Sequence, residues 1–291
     1  MNLPKTHWIE TDFYGLLGTP LRKSVSPAMH NANFQSLGMN AVYHPYEIDA
    51  SHLQSVLPAL ASLRFRGLNV TMPIKQAIIP YLDALDEMGA LCRAVNTIRI
   101  TNGKITGTNT DGTGFVRALK EQGEYEPSGK TCMLLGSGGA ARGVSFALAK
   151  AGVNRFYILD RPESKEMMAS LASDLNAYRS NICTTACNEE MCVKDALANS
   201  QLVVNATCSG MAPNIDETPF NTQLLRPDHF VADIVYIPNH TKLLAEAEAL
   251  GCKTLEGQWM TIWQGAEAFE FWTGKKANTE IMTKIVLESL S

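Results

Sequence analysis

Short apolar runs alternate with longer stretches of helical periodicity along most of this chain, which is the pattern of strands interleaved with helices. In the first third, strand-like runs cover Asp12 to Leu17, Ala41 to Ile48 and Phe65 to Val70. Helical stretches fall between them, from about Pro27 to Leu37 and from about Ser51 to Leu63, the second capped by Asp49 or Ser51. The periodicity is helical again from Pro73 to about Met88. The runs Val95 to Ile100 and Lys104 to Thr108 then flank Asn102-Gly103, the turn pair of a hairpin. A helix from about Gly112 to Gln122 leads into Gly123 to Lys130, whose Glu-Pro-Ser-Gly composition marks a boundary or linker.

The second half continues the rhythm. Strands are expected at 131–136, 155–160 and 201–206, with a weak one at 181–185, and helices at 139–151 and 163–177. Further strand-like runs cover Phe230 to Val235 and Lys253 to Leu255, with a helix between them. Alternation of this kind predicts an α/β fold with a parallel sheet covered by helices. The last helices, about Thr261 to Trp272 and Thr279 to Leu290, have no strand after them and are free to return to the first domain.

At the centre stands Leu134 to Gly143, a glycine-rich segment at a strand-to-helix turn. Its spacing, Gly136-x-Gly138-x-x-Ala141, fits a dinucleotide loop. The first glycine permits the bend, the second lets a pyrophosphate approach the backbone, and the small third residue allows close helix–strand packing. Unpaired N–H groups at the helix start would bind the anion. An ordinary glycine-rich turn has the same composition. The next strand, Arg155 to Asp160, ends in an acid, and that context favours dinucleotide binding.

Composition narrows the class. With 291 residues, 45% hydrophobic and 19% charged, the chain is long enough for two cores. A formal net charge of -4, without a Lys/Arg-rich run, gives no footprint for nucleic acid, so a small-molecule partner is expected. No apolar run approaches membrane-spanning length, and the opening Met1 to Glu10 lacks the pattern of a secretory leader. Seven scattered cysteines suit reduced thiols, and cytoplasmic residence is expected. Cys183, Cys187 and Cys192 cluster without a nearby histidine or a usual metal spacing, so no metal is expected.

Four polar constellations in the first half lie beside predicted strand ends, where loops commonly build sites. In Ser24-Val25-Ser26-Pro27, two hydroxyls two residues apart can donate jointly to a carboxylate; taken alone, Ser26 reads better as a helix cap ahead of Pro27. In Asn69-Val70-Thr71-Met72-Pro73-Ile74-Lys75, a lysine just inside a helix N-terminus would meet a positive potential that disfavours its charged form. The alternative is a solvated lysine. Ala94-Val95-Asn96-Thr97 offers a carboxamide with both donor and acceptor. In Gly107-Thr108-Asn109-Thr110-Asp111-Gly112, Asp111 could pair with Lys75 or simply cap the following helix. Four such segments call for a joint explanation.

With these residues in view, the sequence resembles the shikimate and quinate dehydrogenase family through nearly its whole length, and most closely the quinate/shikimate branch. The matching motifs are Ser-x-Ser-Pro with His30-Asn31 behind it, Asn-Val-Thr-x-Pro-x-Lys at 69–75, Asn96-Thr97, Asn109-Thr110-Asp111-Gly112 and the glycine loop. Asn205-Ala206-Thr207, Val235-Tyr236-x-Pro238 and Gln264-Gly265-Ala266 continue the match in order and spacing. The resemblance implies a substrate domain over 1–112, completed by 259–291, and a Rossmann-type nucleotide domain over 113–258. It implies Lys75 and Asp111 as the catalytic pair, with Ser24, Ser26, Thr71, Asn96, Tyr236 and Gln264 holding the substrate's carboxylate and ring hydroxyls. It places cofactor contacts at Gly136, Ser137, Gly138, Gly139 and Ala140, from Asp160 through Arg161 to Lys165, and at Thr207, Ile234 and Gly257. The reaction implied is reversible hydride transfer at the 3-hydroxyl of shikimate or quinate, giving the 3-dehydro ketone, without a metal.

Three departures from the family bear on specificity. Asp160-Arg161-Pro162 stands where NADP-specific members have Asn-Arg-Thr. An aspartate there suits the ribose 2′-hydroxyl of NAD and repels the extra phosphate of NADP, whereas Arg161 and Lys165 pull the other way, so NAD is favoured with NADP tolerated. Trp259 and Arg93 replace usual glycines, and Cys208 replaces a common serine. Alternatives are a dehydrogenase of another hydroxylated ring acid, such as an aminoshikimate-type substrate, and a non-catalytic dinucleotide-binding regulator, against which the intact Lys75 and Asp111 argue. The oligomeric state is left open between monomer and homodimer.

Overall fold

The computed structural model describes residues 10–21 and 24–290. The stretch read above for a leader therefore lies outside the described residues, except for Glu10. The described residues fall into two compact units, one taking those up to Thr110 together with 264–289, the other taking 111–263.

The first unit is built on a six-stranded sheet. Its elements are β1 (Asp12–Gly18), α1 (Ser26–Ser36), β2 (Ala41–Glu47), α2 (Leu53–Ser62), β3 (Phe65–Val70), β4 (Ala84–Leu85), α3 (Glu87–Cys92), β5 (Thr97–Thr101) and β6 (Lys104–Thr108). The strand order is β2-β1-β3-β5-β6-β4. β1 runs parallel to β2 and β3, whereas β5 is antiparallel to both β3 and β6. This sheet is therefore mixed. The hairpin turn is the expected one, with Asn102 at φ 52 and Gly103 at φ 75, the left-handed pair that a two-residue hairpin requires.

Side chains alternate across β1, so the sheet is covered on both faces. Leu17, Leu57, Leu68 and Ile98 meet on one side. Tyr14, Leu16, Phe34, Phe269 and Trp272 meet on the other. Phe269 and Trp272 belong to α9 (Gly257–Thr273), which is followed by α10 (Thr279–Leu290). Their burial here explains why the closing helices need no strand of their own. Gly67 makes room for Trp272: a Cβ at this glycine would sit 2.2 Å from the indole. The Trp272 Nε1–H donates to Ile98 O at 3.0 Å.

The second unit contains α4 (Thr110–Glu121) beyond its first residue, β7 (Thr131–Leu135), α5 (Gly139–Lys150), β8 (Arg155–Asp160), α6 (Lys165–Tyr178) and β9 (Cys183–Cys187). It continues with α7 (Glu190–Asn199), β10 (Leu202–Asn205), β11 (Phe230–Asp233), α8 (Lys242–Ala249) and β12 (Lys253–Leu255). All pairings in its sheet are parallel, in the order β12-β11-β10-β7-β8-β9. This is the doubly wound order, and it reverses between β7 and β10, where such sheets leave a crevice beyond the strand ends. Residues 202–205 are buried throughout, as expected for a strand covered on both faces.

Several expectations need correction. The helix expected from Pro73 to Met88 is absent. Pro80 opens a single 3₁₀ turn at Ile79–Tyr81, Asp83 Oδ2 accepts the Ile105 N–H at 2.7 Å, and Asp86 caps α3 by accepting from Gly89 N at 2.8 Å. These aspartates bond to backbone in ways that compete with a continuous helix. α7 was not foreseen. The segment 123–130 is no linker, since Tyr125 packs on Phe230 with ring centroids 4.5 Å apart inside the second unit. The boundary expected after residue 258 falls within α9, which divides between Trp263 and Gln264, and Asp111 falls in the second unit.

Candidate active site

In the first unit, the polar constellations converge on a chain of buried side chains. Tyr43 is 2% exposed, and its phenol donates to Asn69 Oδ1 at 2.8 Å. Asn69 Nδ2 donates to Thr97 Oγ1 at 3.1 Å, and the Thr97 hydroxyl donates to Asn96 Oδ1 at 3.0 Å. The same Asn96 oxygen accepts the Thr110 N–H at 2.7 Å, while Asn96 Nδ2 donates to Thr110 Oγ1 at 3.0 Å. Burial pushes the Tyr43 phenol well above its ordinary pKa, an effect the neighbouring Ser26 hydroxyl opposes. Each polar group in the chain has a partner, as buried polar groups require. Tyr43 was missed by the sequence reading, because alternation along β2 marks it only as an inward position.

The serine pair does not divide as its helix-cap reading would have it. α1 starts at Ser26, its cap position is Val25 without a side-chain bond, and Ser24 Oγ accepts the Ser26 N–H at 3.3 Å. Lys75 is half-buried in a turn, so the argument from a helix N-terminus does not apply to it. Its carbonyl accepts the Val95 N–H at 2.7 Å, which ties its backbone to the segment that carries Asn96. Thr71 is half-buried, with its N–H on Leu17 O at 2.8 Å. Gln264 is half-buried on α9, and the adjacent Gly265 lets this helix close on α1: a Cβ there would lie 2.3 Å from Met29 Cε.

A buried histidine also lies among these elements. His30 is fully buried, stacked on Tyr43 at 4.6 Å between ring centroids, and burial lowers its pKa to about 3. It is neutral at physiological pH and does not cycle protons there. Arg93 sits at the C-cap of α3 with φ 47, a left-handed position that suits glycine. That departure therefore concerns a helix end.

In the second unit, the segments after β7, β8, β10, β11 and β12 carry the predicted dinucleotide residues. Gly136 has φ 104, its N–H donates to Leu159 O at 2.8 Å, and a Cβ would meet Ala206 O at 2.8 Å. Only glycine meets both demands. Gly138 caps α5, and nothing lies within 4 Å of the place its Cβ would take. The first-turn N–H groups of Gly139 and Ala140 have no intrahelical acceptor, as at any helix start, and such a terminus can bind an anion.

Asp160 is anchored through both carboxylate oxygens, with Ser137 Oγ donating to Oδ2 at 2.7 Å and the Arg161 N–H donating to Oδ1 at 2.8 Å. The Ser137 side chain is thereby committed to Asp160. Arg161 and Lys165 are exposed. Thr207 follows β10 with its N–H and hydroxyl both on Asn205 Oδ1, at 3.1 and 2.7 Å. Ile234 and Tyr236 follow β11, and burial raises the pKa of the Tyr236 phenol. Gly257 has no room for a side chain, since a Cβ would meet Val235 O at 2.4 Å. Trp259 turns its Nε1–H back onto Glu256 Oε2 at 3.1 Å. Asp111 lies in the first turn of α4 and is buried.

Lys75, Thr71, Ser24, Ser26, Asn96 and Gln264 thus belong to one unit, and Asp111, Tyr236 and all predicted dinucleotide contacts to the other. Among the described residues, no group of three or more His, Cys, Asp or Glu could hold a metal, no helix is long and apolar enough to cross a membrane, and all seven cysteines are free.

Fold and strand-end geometry define a two-unit α/β protein whose second unit is a Rossmann domain of the dinucleotide type. Residues 16–98 match the shikimate dehydrogenase substrate binding domain, and residues 257–287 match the shikimate 5′-dehydrogenase C-terminal domain. The chain is 42% identical to a shikimate dehydrogenase (NADP(+)) of Methanopyrus kandleri over 97% of either protein. The chain belongs to the shikimate dehydrogenase family. Among solved structures it is similar to shikimate 5-dehydrogenase from Listeria monocytogenes in complex with shikimate and NAD, with a TM-score of 0.92, 36% identity and coverage of 98% and 99% of the two chains. It is also similar to quinate dehydrogenase from Corynebacterium glutamicum in complex with NAD, with a TM-score of 0.87, 34% identity and coverage of 96% and 99%.

Replacing Tyr43 with phenylalanine removes the donor to Asn69 Oδ1 and leaves a buried acceptor unpaired. The expected loss is about 1–3 kcal/mol, read as a lower denaturation midpoint in urea. An unchanged midpoint would show that Asn69 takes its donor elsewhere.

Proposed function

We propose that the protein is an NAD(P)-dependent dehydrogenase that interconverts the 3-hydroxyl of shikimate, quinate or both with the 3-dehydro ketone. The observation that supports this most is the buried chain from Tyr43 to Thr110, with Ser26 beside it. It draws residues from all four polar constellations, which are otherwise far apart in sequence, into one hydrogen-bonded set.

In this reading the Ser24 and Ser26 hydroxyls donate to the substrate's carboxylate. Thr71, Asn96, Tyr236 and Gln264 orient the ring through its hydroxyls. Lys75 takes the proton from the 3-hydroxyl during oxidation and returns it during reduction, with Asp111 as its acid/base partner; such a group contributes about 10²–10⁴-fold in rate. The nicotinamide cofactor, when bound, accepts or supplies the hydride. The loop from Gly136 to Ala140 and the backbone near Thr207, Ile234 and Gly257 would hold it. The anchored Asp160 carboxylate favours NAD by its affinity for a ribose 2′-hydroxyl, while the exposed Arg161 and Lys165 leave NADP tolerated.

The direct test is cofactor reduction with shikimate and quinate, each paired with NAD and NADP. Turnover in at least one combination is expected, and none in all of them would sink the reading. Lys75→Ala should lose at least roughly 10²-fold in kcat while dinucleotide affinity changes little; retained turnover would remove Lys75 from the acid/base role. Asp160→Asn should shift the kcat/KM ratio towards NADP, and an unchanged ratio would mean that this carboxylate does not read the ribose.

A further inference from the structure

At the dinucleotide end of the second unit lies a carboxylate to which neither the family resemblance nor the proposed mechanism gives a part. Asp233, the last residue of β11, is 1% exposed. Its Oδ1 accepts from Asn205 Nδ2 and from the Val235 N–H, both at 2.9 Å, and its Oδ2 accepts from Thr241 Oγ1 at 2.7 Å. Thr241 in turn caps α8. No cation faces the carboxylate among the described residues. His240 turns to Glu248 at 3.5 Å, and Lys242 turns to the Asp216 carbonyl at 3.0 Å and to Glu246 at 3.9 Å.

We propose that Asp233 is a positioning residue for the bound dinucleotide: by fixing the orientation of the Asn205 carboxamide, it sets the Thr207 turn at the end of β10. The inference rests on the dinucleotide-dependent reading given above. Its physical basis is the asymmetry of an amide. The anionic Asp233 accepts only, so Asn205 must present its Nδ2 there, and that group also donates to Ser209 O at 3.2 Å. The Asn205 oxygen is thereby forced towards Thr207, whose N–H and hydroxyl it takes, and Thr207 Oγ1 accepts the Ser209 N–H at 3.1 Å. A flipped amide would set its oxygen against the carboxylate and its NH₂ against the Thr207 N–H. The turn so fixed abuts the glycine loop, because the missing Cβ of Gly136 would lie 2.8 Å from Ala206 O and 3.1 Å from Thr207 Cγ2. A shift of Thr207 would therefore disturb that loop as well.

Burial works against the ionised form of this carboxylate, while its three donors work for it. Burial raises the Asp233 pKa to about 6 despite its donors. A carboxyl raised above its ordinary value of 3.8 contributes stability that is full below that value and lost as pH rises through about 6. Above that range the protein carries an anion that burial disfavours. Below it the carboxyl is neutral: its proton goes to Oδ2, towards Thr241, because Oδ1 still accepts from the Val235 N–H, and the hold of Oδ1 on Asn205 Nδ2 loses its charge assistance.

The experiment titrates NAD and NADP separately into the full-length protein by calorimetry from about pH 5 to about pH 8, with steady-state KM values for shikimate beside it. In the wild type, dinucleotide Kd should rise as pH falls through the region near 6. Asp233→Asn should weaken dinucleotide binding about tenfold at neutral pH, change the KM for shikimate less than about twofold, and lack the step near pH 6. Unchanged dinucleotide affinity, or equal losses in dinucleotide Kd and shikimate KM, would overturn the proposal. Thr241→Val keeps both Oδ1 donors and serves if Asp233→Asn does not fold. It removes a donor to the anion and should move the pH step up by about half a unit or more, and an unmoved step overturns the proposal. A wild type that binds neither dinucleotide overturns the functional reading and this inference with it. A wild type that binds, with variants indistinguishable from it, overturns this inference alone.

Discussion

The Asn96 carboxamide is the constraint on which the rest of the first unit's site depends. Its oxygen holds the Thr110 N–H at the start of α4, its nitrogen holds the Thr110 hydroxyl, and Asp111 is the next residue along. Asn96 is itself rooted beside β5, an inner strand of a sheet whose β2 and β3 supply Tyr43 and Asn69. Buried hydrogen bonds of this kind contribute modestly when made and cost far more when one partner is lost. Their value here is geometric, since the Thr110 N–H can only donate and so fixes which way the Asn96 amide faces.

The two units use the same chemistry at different tasks. In the first, Asn96 ties a strand end to a helix start. In the second, Asn205 ties β10 to the end of β11 through Asp233. In each case an asparagine within hydrogen-bond reach of a threonine just beyond a strand decides where a loop lies. The glycines complement these amides: Gly136 and Gly257 leave no space for a side chain where neighbouring backbone comes close. Polar side chains fix direction, and missing side chains permit approach.

Much of this was legible in the sequence. The strand–helix alternation of the second unit, the Asn102-Gly103 hairpin and the Gly136-x-Gly138 turn rest on local rules, and the structure follows them. The segment after Pro73 was misread because periodicity does not register Asp83 and Asp86, whose side chains bond to backbone and break the run. With that helix gone, the electrostatic argument for Lys75 goes too. Tyr43 and Asp233 were invisible as site residues for a different reason. One reads as an inward strand position and the other as the acid at the end of Phe-Val-Ala-Asp, and only burial with named partners distinguishes them.

The sheet edges carry a consequence for how these molecules behave when crowded. β2 and β4 border the first sheet, β9 and β12 the second. β2 contains Pro45, which has no N–H to offer an incoming strand, while β4 and β12 run for two and three residues. β9 turns exposed threonines, Thr184 and Thr185, outward. Each border is broken, brief or hydrophilic, so none presents the long apolar template on which chains add to one another in fibrillar growth. The architecture guards its own dispersal at the places where a β-rich protein is most exposed to self-templating.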